Sequence, residues 1–474
     1  MSGWRPSDVD PIDLTNGPKR VHLIGIGGAG MSAIAEVLAT LGHRVSGSDR
    51  ADGPVLDRLR ALGIDARAPH DAVNVIGVDV VAASTAIAAD NVELVAARDR
   101  GLGVHHRYDL LAAIGGLAKT VSISGTHGKT TTSALTALAF DSAGFDPSFI
   151  IGGDVAGFDS GSRWTGSEWF VLEADESDST FLAPPRAAAV VTNIEPDHLD
   201  HHGSYEALLG AFVRFVTETR GPVVLCRDDP GAMSLFPLIP DECDKPVTYG
   251  LADGSDFRVS DVRARGDVTT WHVTEPGGER RELTLALPGL HLVRNATAAY
   301  GVGVMLGTDR DRAIEGLARY RGVGRRFERR GAAAGIEFID DYAHLPTEVE
   351  AVLEACASGS WRRVVAVFQP HRYSRTEAIG AEFGPSFDGA DVVVVTDVYA
   401  AGEAPRPGVS GRIVVDAIAA ARPAQEVIWA PTRGDLVAAL VDLLADGDLC
   451  LTMGAGDLTT LPDDMLAALT GTTP

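Results

Sequence analysis

The chain has 474 residues, too many for one ordinary hydrophobic core, and at about 100–200 residues per domain it predicts three domains. Its 45% hydrophobic and 22% charged residues are the mix of a soluble globular protein. A formal charge of −24 (isoelectric point about 4.9) repels phosphate backbones and excludes nucleic-acid binding as a main role, so any phosphate site must be built locally from backbone N–H groups and a few placed cations.

Four lysines occur, Lys19, Lys119, Lys129 and Lys245, and the other basic residues are arginines. The cysteines Cys226, Cys243, Cys356 and Cys450 are scattered without CxxC spacing, as expected of reduced, buried thiols in a cytoplasmic protein. The N-terminus, MSGWRPSDVDPIDL, lacks the basic start and apolar core of a secretion signal. No apolar run approaches the roughly 18 residues of a membrane span, so no membrane insertion is expected.

Three α/β blocks follow one another. In residues 1–117, apolar runs at 21–26, 44–47 and 79–82 predict short buried strands, with a helix over 31–41; the alternation indicates a Rossmann-like, mostly parallel sheet. Residues 118–326 open with a strand at 120–124, a glycine turn and a helix over 129–142. Further strands are predicted at 169–173, 187–192 and 223–226, with antiparallel strands at 257–262, 268–273 and 283–287. This block reads as a P-loop-type ATPase domain with an added antiparallel segment. Residues 327–474 predict a second Rossmann-like block, with strands at 364–368, 391–396, 426–429 and 449–453.

Gly25-Ile26-Gly27-Gly28-Ala29-Gly30 fits GxGxxG between a strand and a helix. Glycines let the backbone approach a pyrophosphate seated on the helix N-terminus, and Asp49, at the end of the next strand, stands where a ribose-binding acid belongs. Taken alone, this turn also suits a nicotinamide cofactor. Ser124-Gly125-Thr126-His127-Gly128-Lys129-Thr130-Thr131-Thr132 is more informative. Backbone N–H groups there would cradle phosphates, Lys129 would reach the β- and γ-phosphates, and the Thr130 hydroxyl would bind Mg²⁺. The loop is shorter than GxxxxGK[ST], because Ile123 occupies the first-glycine position. A strand ending in Glu173, followed by the acidic string 174–178, would deliver a metal-binding carboxylate, and His198 could be a second ligand. A solvated acidic loop, and a zinc site from His198, His201 and His202, are the competing readings.

GIGGAGMSAIAEVL, SGTHGKTTT, LEADESD, NIEPDHLD, LPGLHLVRNATAA, GVGRRFE, DDYAHLPTE and FQPHRYSRT occur in that order. Together, over about residues 20–460, they resemble the Mur ligases, and within them the branch that joins L-alanine to UDP-N-acetylmuramate. The resemblance implies an ATP-dependent acid–amino-acid ligase of peptidoglycan precursor synthesis, working in the cytoplasm on UDP-N-acetylmuramate, L-alanine and ATP with Mg²⁺. It implies that Gly27, Gly28, Ala29 and Gly30 hold the UDP moiety, not a nicotinamide, with Asp49, His70 and Ser84 completing that site. Gly125, Thr126, His127, Gly128, Lys129, Thr130 and Thr131 match the ATP loop, and Thr130, Glu173 and His198 the metal ligands. His291 and Asn295 match the adenine side, Arg326 the γ-phosphate and Asp341 the nucleotide ribose. Tyr342, His344, Arg372 and Arg375 match positions around the incoming alanine, and the catalytic set is Lys129, His198, Arg326 and His344. Two positions depart from the family pattern: Leu345 replaces a second histidine and Leu292 an asparagine.

Sister ligases that add later residues carry a carbamylated lysine about 15 residues after the His198-type histidine. This chain has Val213 there and no lysine from 130 to 244, which favours the alanine-adding branch. The rival readings are a ligase that adds a tripeptide to the same nucleotide sugar, folylpolyglutamate synthase, a nicotinamide-dependent dehydrogenase, and a nucleotide-binding regulator without catalysis. Oligomeric state is left open. Placing phosphates, carboxylate and amine on three domains implies closure of the third onto the second. A nucleotide analogue with substrate should therefore reduce the radius of gyration in solution scattering; an unchanged value refutes closure.

Overall fold

The computed structural model describes residues 10–266, 268–357 and 359–470. Residues 1–9, which begin the stretch read for a secretion signal, lie outside them, as do 471–474. Three sheets carry the fold. The chain forms two compact units: Met1–Asp261, Trp271–Leu283 and Arg294–Tyr320 make the first, and Val262–Thr270, Thr284–Val293 and Arg321–Pro474 the second.

The first sheet has five parallel strands in the order Asp65–Arg67, Arg44–Ser48, Arg20–Ile24, Val80–Ala83, Val104–His106. Strand order reverses between Arg20–Ile24 and Val80–Ala83, and the crevice outside the carboxyl ends at such a point is where ligands bind. Helix Ala29–Thr40 turns Met31, Ile34, Val37 and Leu38 into the core against Val21 and Leu23 of the sheet.

The second sheet has ten strands. Lys119–Ser124 lies inside it, in parallel register with Trp169–Glu173 on one side and Arg186–Val191 on the other. All three are nearly fully buried, as expected of central parallel strands covered on both faces. Their carboxyl ends deliver the Gly125 turn, Glu173 and Asn193 to one edge. Where the sequence predicts three antiparallel strands, Phe257–Arg265, Val268–Thr274 and Arg280–Leu285 follow one another at a sheet edge. The first of them pairs in parallel with Val247–Gly250 over two residue pairs. Asp256 makes that return possible by accepting both the N–H and the hydroxyl of Thr248, each at 2.7 Å. The antiparallel pair Ser148–Val155 and Ser160–Arg163 at the opposite edge carries no strong sequence signal and is not foreseen.

The third sheet has the order Glu328–Ala333, Ile336–Asp341, Asp448–Met453, Arg363–Phe368, Val392–Val395, Glu426–Trp429. It is parallel except for its first strand, also unforeseen from the sequence. Among the described residues no helix is long and apolar enough to cross a membrane. Cys226, Cys356 and Cys450 are buried, Cys243 is half-buried, and all four are free.

Helix Lys129–Ser142 packs against helix Arg310–Ala318 through Gly316. A Cβ at Gly316 would lie 2.4 Å from the Leu138 carbonyl and 2.8 Å from the Ala139 Cα, so only glycine allows this backbone approach. Gly316→Ala should force the helices apart and cost about 1–3 kcal/mol in chemical denaturation. An unchanged unfolding midpoint would refute the contact.

Candidate active site

At the first sheet's carboxyl edge the glycine turn folds onto the neighbouring strand. Gly25 and Ile26 both donate their N–H to the Ser48 carbonyl (2.8 and 3.0 Å). Gly25 has φ +83°, open to glycine without strain, and the Gly27 N–H donates to Asp49 Oδ2 at 2.8 Å. Helix Ala29–Thr40 starts at Gly28 with no side-chain cap, and Met31 and Ser32 donate their N–H to the Gly28 carbonyl (3.0 and 2.9 Å). Ser84 packs against Gly25, and His70 Nδ1 lies 2.8 Å from Ser48 Oγ. Gly27, Gly28, Ala29, Gly30, Asp49, His70 and Ser84 thus gather at one edge. Arg107 joins them without having been singled out from the sequence. Its guanidinium lies 3.0 Å from the Cβ position of Gly30 and donates to Asp178 (2.9 Å) and Thr180 (3.2 Å) in the loop after Glu173.

The second glycine turn is tighter. A Cβ on Gly125 would lie 2.1 Å from Thr192 Oγ1, and one on Gly128 2.8 Å from Asn295 Oδ1. Asn193 holds the loop's shape: its carbonyl accepts the Thr126 N–H (3.0 Å) and its side-chain oxygen the His127 N–H (2.7 Å). Lys129 then curls back. Its Nζ donates to the Gly125 carbonyl (2.7 Å), the Thr126 carbonyl (3.1 Å) and the Glu176 carboxylate (2.9 Å). Burial works against the ammonium, but Glu176, Asp175 and Glu173 outweigh it and hold the pKa of Lys129 above its ordinary value. Thr131 is buried behind the turn.

Thr130 Oγ1 donates to Glu173 Oε1 (2.8 Å), and the Gly152 N–H from the unforeseen hairpin donates to Glu173 Oε2 (2.6 Å). A hydroxyl and a carboxylate beside a phosphate cradle are the hard oxygen donors that Mg²⁺ takes. His198 has φ +54° and its Nε2 lies 3.3 Å from Asp197 Oδ2. His201 Nε2 is bonded to Ser179 Oγ and His202 Nε2 to the Glu176 carbonyl. Among the described residues no group of three or more His, Cys, Asp or Glu side chains is arranged to hold a metal. Asn295 lies one helical turn after His291 on helix Leu290–Met305.

In the second unit the other expected residues follow the carboxyl ends of the third sheet. Both oxygens of buried Asp341 accept backbone N–H groups at 2.8 Å, from Phe327 and Ala343. Asp341 thereby ties the arginine turn to the loop that carries Tyr342. Arg325 and Arg326 each lie over the Tyr342 ring, 4.7 and 4.9 Å from its centre. His344 Nδ1 lies 3.0 Å from the Tyr342 carbonyl and 3.2 Å from Glu348 Oε2. A carbonyl only accepts, so Nδ1 carries the hydrogen and Nε2 is the basic nitrogen of the neutral ring. Arg372 and Arg375 sit at the start of helix Tyr373–Ile379, and Arg375 Nη1 lies 3.1 Å from His371 Nδ1. His371 stacks on Tyr399 (5.8 Å, 12°) and meets His344 edge-on at 5.7 Å. Glu348, His371 and Tyr399 are members of this cluster that the sequence did not single out. Glu348 and His371 lie inside the motifs DDYAHLPTE and FQPHRYSRT; Tyr399 has no local signal.

Burial pushes the Glu176 carboxyl up from 4.5 to about 7, with Lys129 opposing. The folded chain therefore holds this proton more tightly than the unfolded chain between those values. Unfolding releases it there, and the group's contribution to stability falls as pH rises from about 4.5 to 7, by at most ~3 kcal/mol. Glu176→Gln should flatten that slope, so the stability difference between variant and wild type should move by about 1–3 kcal/mol between pH 5 and 8. Parallel denaturation curves at both pH values would refute it.

Family models match the chain in three consecutive stretches: "Mur ligase family, catalytic domain" at residues 20–117, "Mur ligase middle domain" at 123–303 and "Mur ligase, glutamate ligase domain" at 325–456. The UDP-N-acetylmuramate–L-alanine ligase of Kineococcus radiotolerans is 48% identical over 458 residues, covering 95% of this chain and 96% of that protein. The ligase of the same name from Rhizobium meliloti is 43% identical over 449 residues, 93% of this chain and 94% of its own length. The crystal structure of UDP-N-acetylmuramate–alanine ligase from Thermotoga maritima superposes with a TM-score of 0.82 at 28% identity, covering 96% of this chain and 99% of that one. A murein peptide ligase from Psychrobacter arcticus shares the fold, at 0.70 and 22% identity. With three matched stretches spanning most of its length and full-length relatives at this identity, the chain belongs to the Mur ligase family.

Proposed function

We propose that this enzyme joins L-alanine to the lactyl carboxylate of UDP-N-acetylmuramate at the expense of ATP, giving the first peptide-bearing precursor of peptidoglycan in the cytoplasm. The single observation that carries the reading is the Lys129 turn, a half-buried ammonium in a loop whose two glycines sit where a Cβ would strike Thr192 or Asn295. The high identity to full-length proteins named for this reaction supports it over the tripeptide-adding alternative.

A carboxylate is a poor acyl donor. Transfer of the ATP γ-phosphoryl group to the lactyl oxygen makes an acyl phosphate; the alanine amine attacks its carbonyl carbon, and phosphate leaves from the tetrahedral adduct. Two anions meet in the first step, so the dominant contribution is electrostatic. Lys129 donates to the phosphates in place of Glu176, and Arg326 offsets the charge that builds on the transferring group. Thr130, Glu173 and His198 would hold Mg²⁺, which supplies further charge neutralisation. Gly27, Gly28, Ala29 and Gly30 bind the UDP pyrophosphate, and Asp49 the ribose. Asn295, beside Gly128, and His291 serve the adenine side. Arg372 and Arg375 pair with the alanine carboxylate, since a guanidinium can grip it with two parallel N–H donors. Tyr342 walls that site. His344 Nε2 takes a proton from the alanine ammonium, because its Nδ1 hydrogen is held by the Tyr342 carbonyl and Glu348.

Phosphate release from ATP and UDP-N-acetylmuramate, assayed with L-alanine, glycine, L-serine and tripeptide, tests the reading. Release should depend on L-alanine and fall by about 10²-fold or more in Lys129→Ala. No alanine-dependent release by the wild type, or full turnover in the variant, overturns it.

A further inference from the structure

The first domain holds a buried polar chain that the reaction as described does not use. Glu93 lies in the first turn of helix Val92–Asp99 with no exposed surface. Its Oε1 accepts the Asn74 side-chain N–H (2.6 Å) and the Asp71 backbone N–H (3.1 Å), and its Oε2 is hydrogen-bonded to the Ser48 hydroxyl. His22 Nε2 lies 3.5 Å from Oε2, and His22 Nδ1 faces Ser46 Oγ at 2.9 Å. Burial pushes the Glu93 carboxyl up, but the interactions with His22, Ser48, Asn74 and Asp71 bring it down to about 2.

This wiring fixes where hydrogens go. An ionised carboxylate only accepts, so the one hydroxyl hydrogen of Ser48 is committed to Glu93. The contact between Ser48 Oγ and His70 Nδ1, 2.8 Å, must then use a hydrogen from the ring. His70 Nδ1 also lies 3.4 Å from Glu93 Oε2, which favours the same assignment. The neutral ring thus keeps its lone pair on Nε2. No described protein group is recorded as a partner of that nitrogen, the side chain is 16% exposed, and the ring rests on Ser48, whose carbonyl anchors the glycine turn.

We propose that Ser48 and Glu93 are positioning residues that lock His70 in the Nδ1–H form, so that its Nε2 accepts a hydrogen bond from an N–H or O–H of the nucleotide sugar on the glycine turn. The inference rests on the reading of that turn as the UDP-N-acetylmuramate site. It makes His70 a specificity residue, because a ligand presenting an acceptor there would set two lone pairs against each other.

The ring is directly observable. In ¹⁵N-histidine-labelled enzyme, with His70 assigned by His70→Gln, long-range ¹H–¹⁵N correlation should show Nδ1 protonated and Nε2 bare, with Nε2 shifting on titration with UDP-N-acetylmuramate. In Glu93→Gln the side-chain oxygen stays with the Asn74 and Asp71 donors, which turns the amide NH₂ toward Ser48. Ser48 then donates to His70 and the tautomer inverts. KM for UDP-N-acetylmuramate should rise about tenfold with kcat and KM for ATP unchanged. A wild-type ring protonated at Nε2, or an inverted ring with unchanged KM, overturns the proposal; the wild-type spectrum decides even if the variant does not fold. If the tautomer is as stated but His70→Gln leaves affinity for UDP-N-acetylmuramate untouched, the placement of the nucleotide sugar fails, a result distinct from a wrong tautomer.

Discussion

A single half-buried ammonium, that of Lys129 with 14% of its side chain exposed, organises the loop at the carboxyl edge of the central sheet. Lys129 is held by two carbonyls of its own loop and by a carboxylate that is itself 2% exposed. Taking such charges from water costs several kcal/mol per ion, and close partners offset that cost. The loop must therefore curl back on itself, which demands glycine at 125 and 128, where any side chain would strike Thr192 or Asn295. Asn193, at the end of the neighbouring strand, supplies the loop with the acceptors it needs. Sheet register, loop shape and charge are thus one problem with one solution.

The same economy recurs at each sheet. Parallel strands deliver all their carboxyl ends to one edge, so residues far apart in sequence meet without long loops. Ser48, His70 and Ser84 meet at the first sheet, Thr130, Glu173 and Asn193 at the second, and Tyr342, His344, His371 and Tyr399 at the third. Carboxylates at these edges accept hydrogen bonds from neighbouring backbone N–H groups. Asp49 closes the first glycine turn, Asp341 ties two loops together, and Glu173 is anchored by a backbone N–H from a hairpin. Rigid anchoring of this kind places charge before substrate arrives, which is what electrostatic catalysis requires.

Much of this was legible in the chain itself. The two glycine turns, each between an apolar strand and a helix, located the two sheet edges at which nucleotide binding is proposed, because a backbone meant to approach phosphate is rich in glycine. Apolar runs located most central strands within a residue or two, since burial on both faces favours apolar side chains along most of each strand. The absence of lysine between 130 and 244 excluded a carbamylated-lysine mechanism outright.

Tertiary structure alone decided the rest. Strands at or next to a sheet edge, such as Ser148–Val155 and Glu328–Ala333, carry weak or mixed patterning, because part of their length is exposed, yet the first of them supplies the N–H that orients Glu173. Arg107, Glu93 and Tyr399 show no motif: their positions follow from which elements pack together, and a hydrogen bond between partners 19 or more residues apart leaves no local trace in the chain. Composition and spacing could name the groups proposed to meet phosphate. Only packing could say which neighbours hold those groups, and in which protonation state.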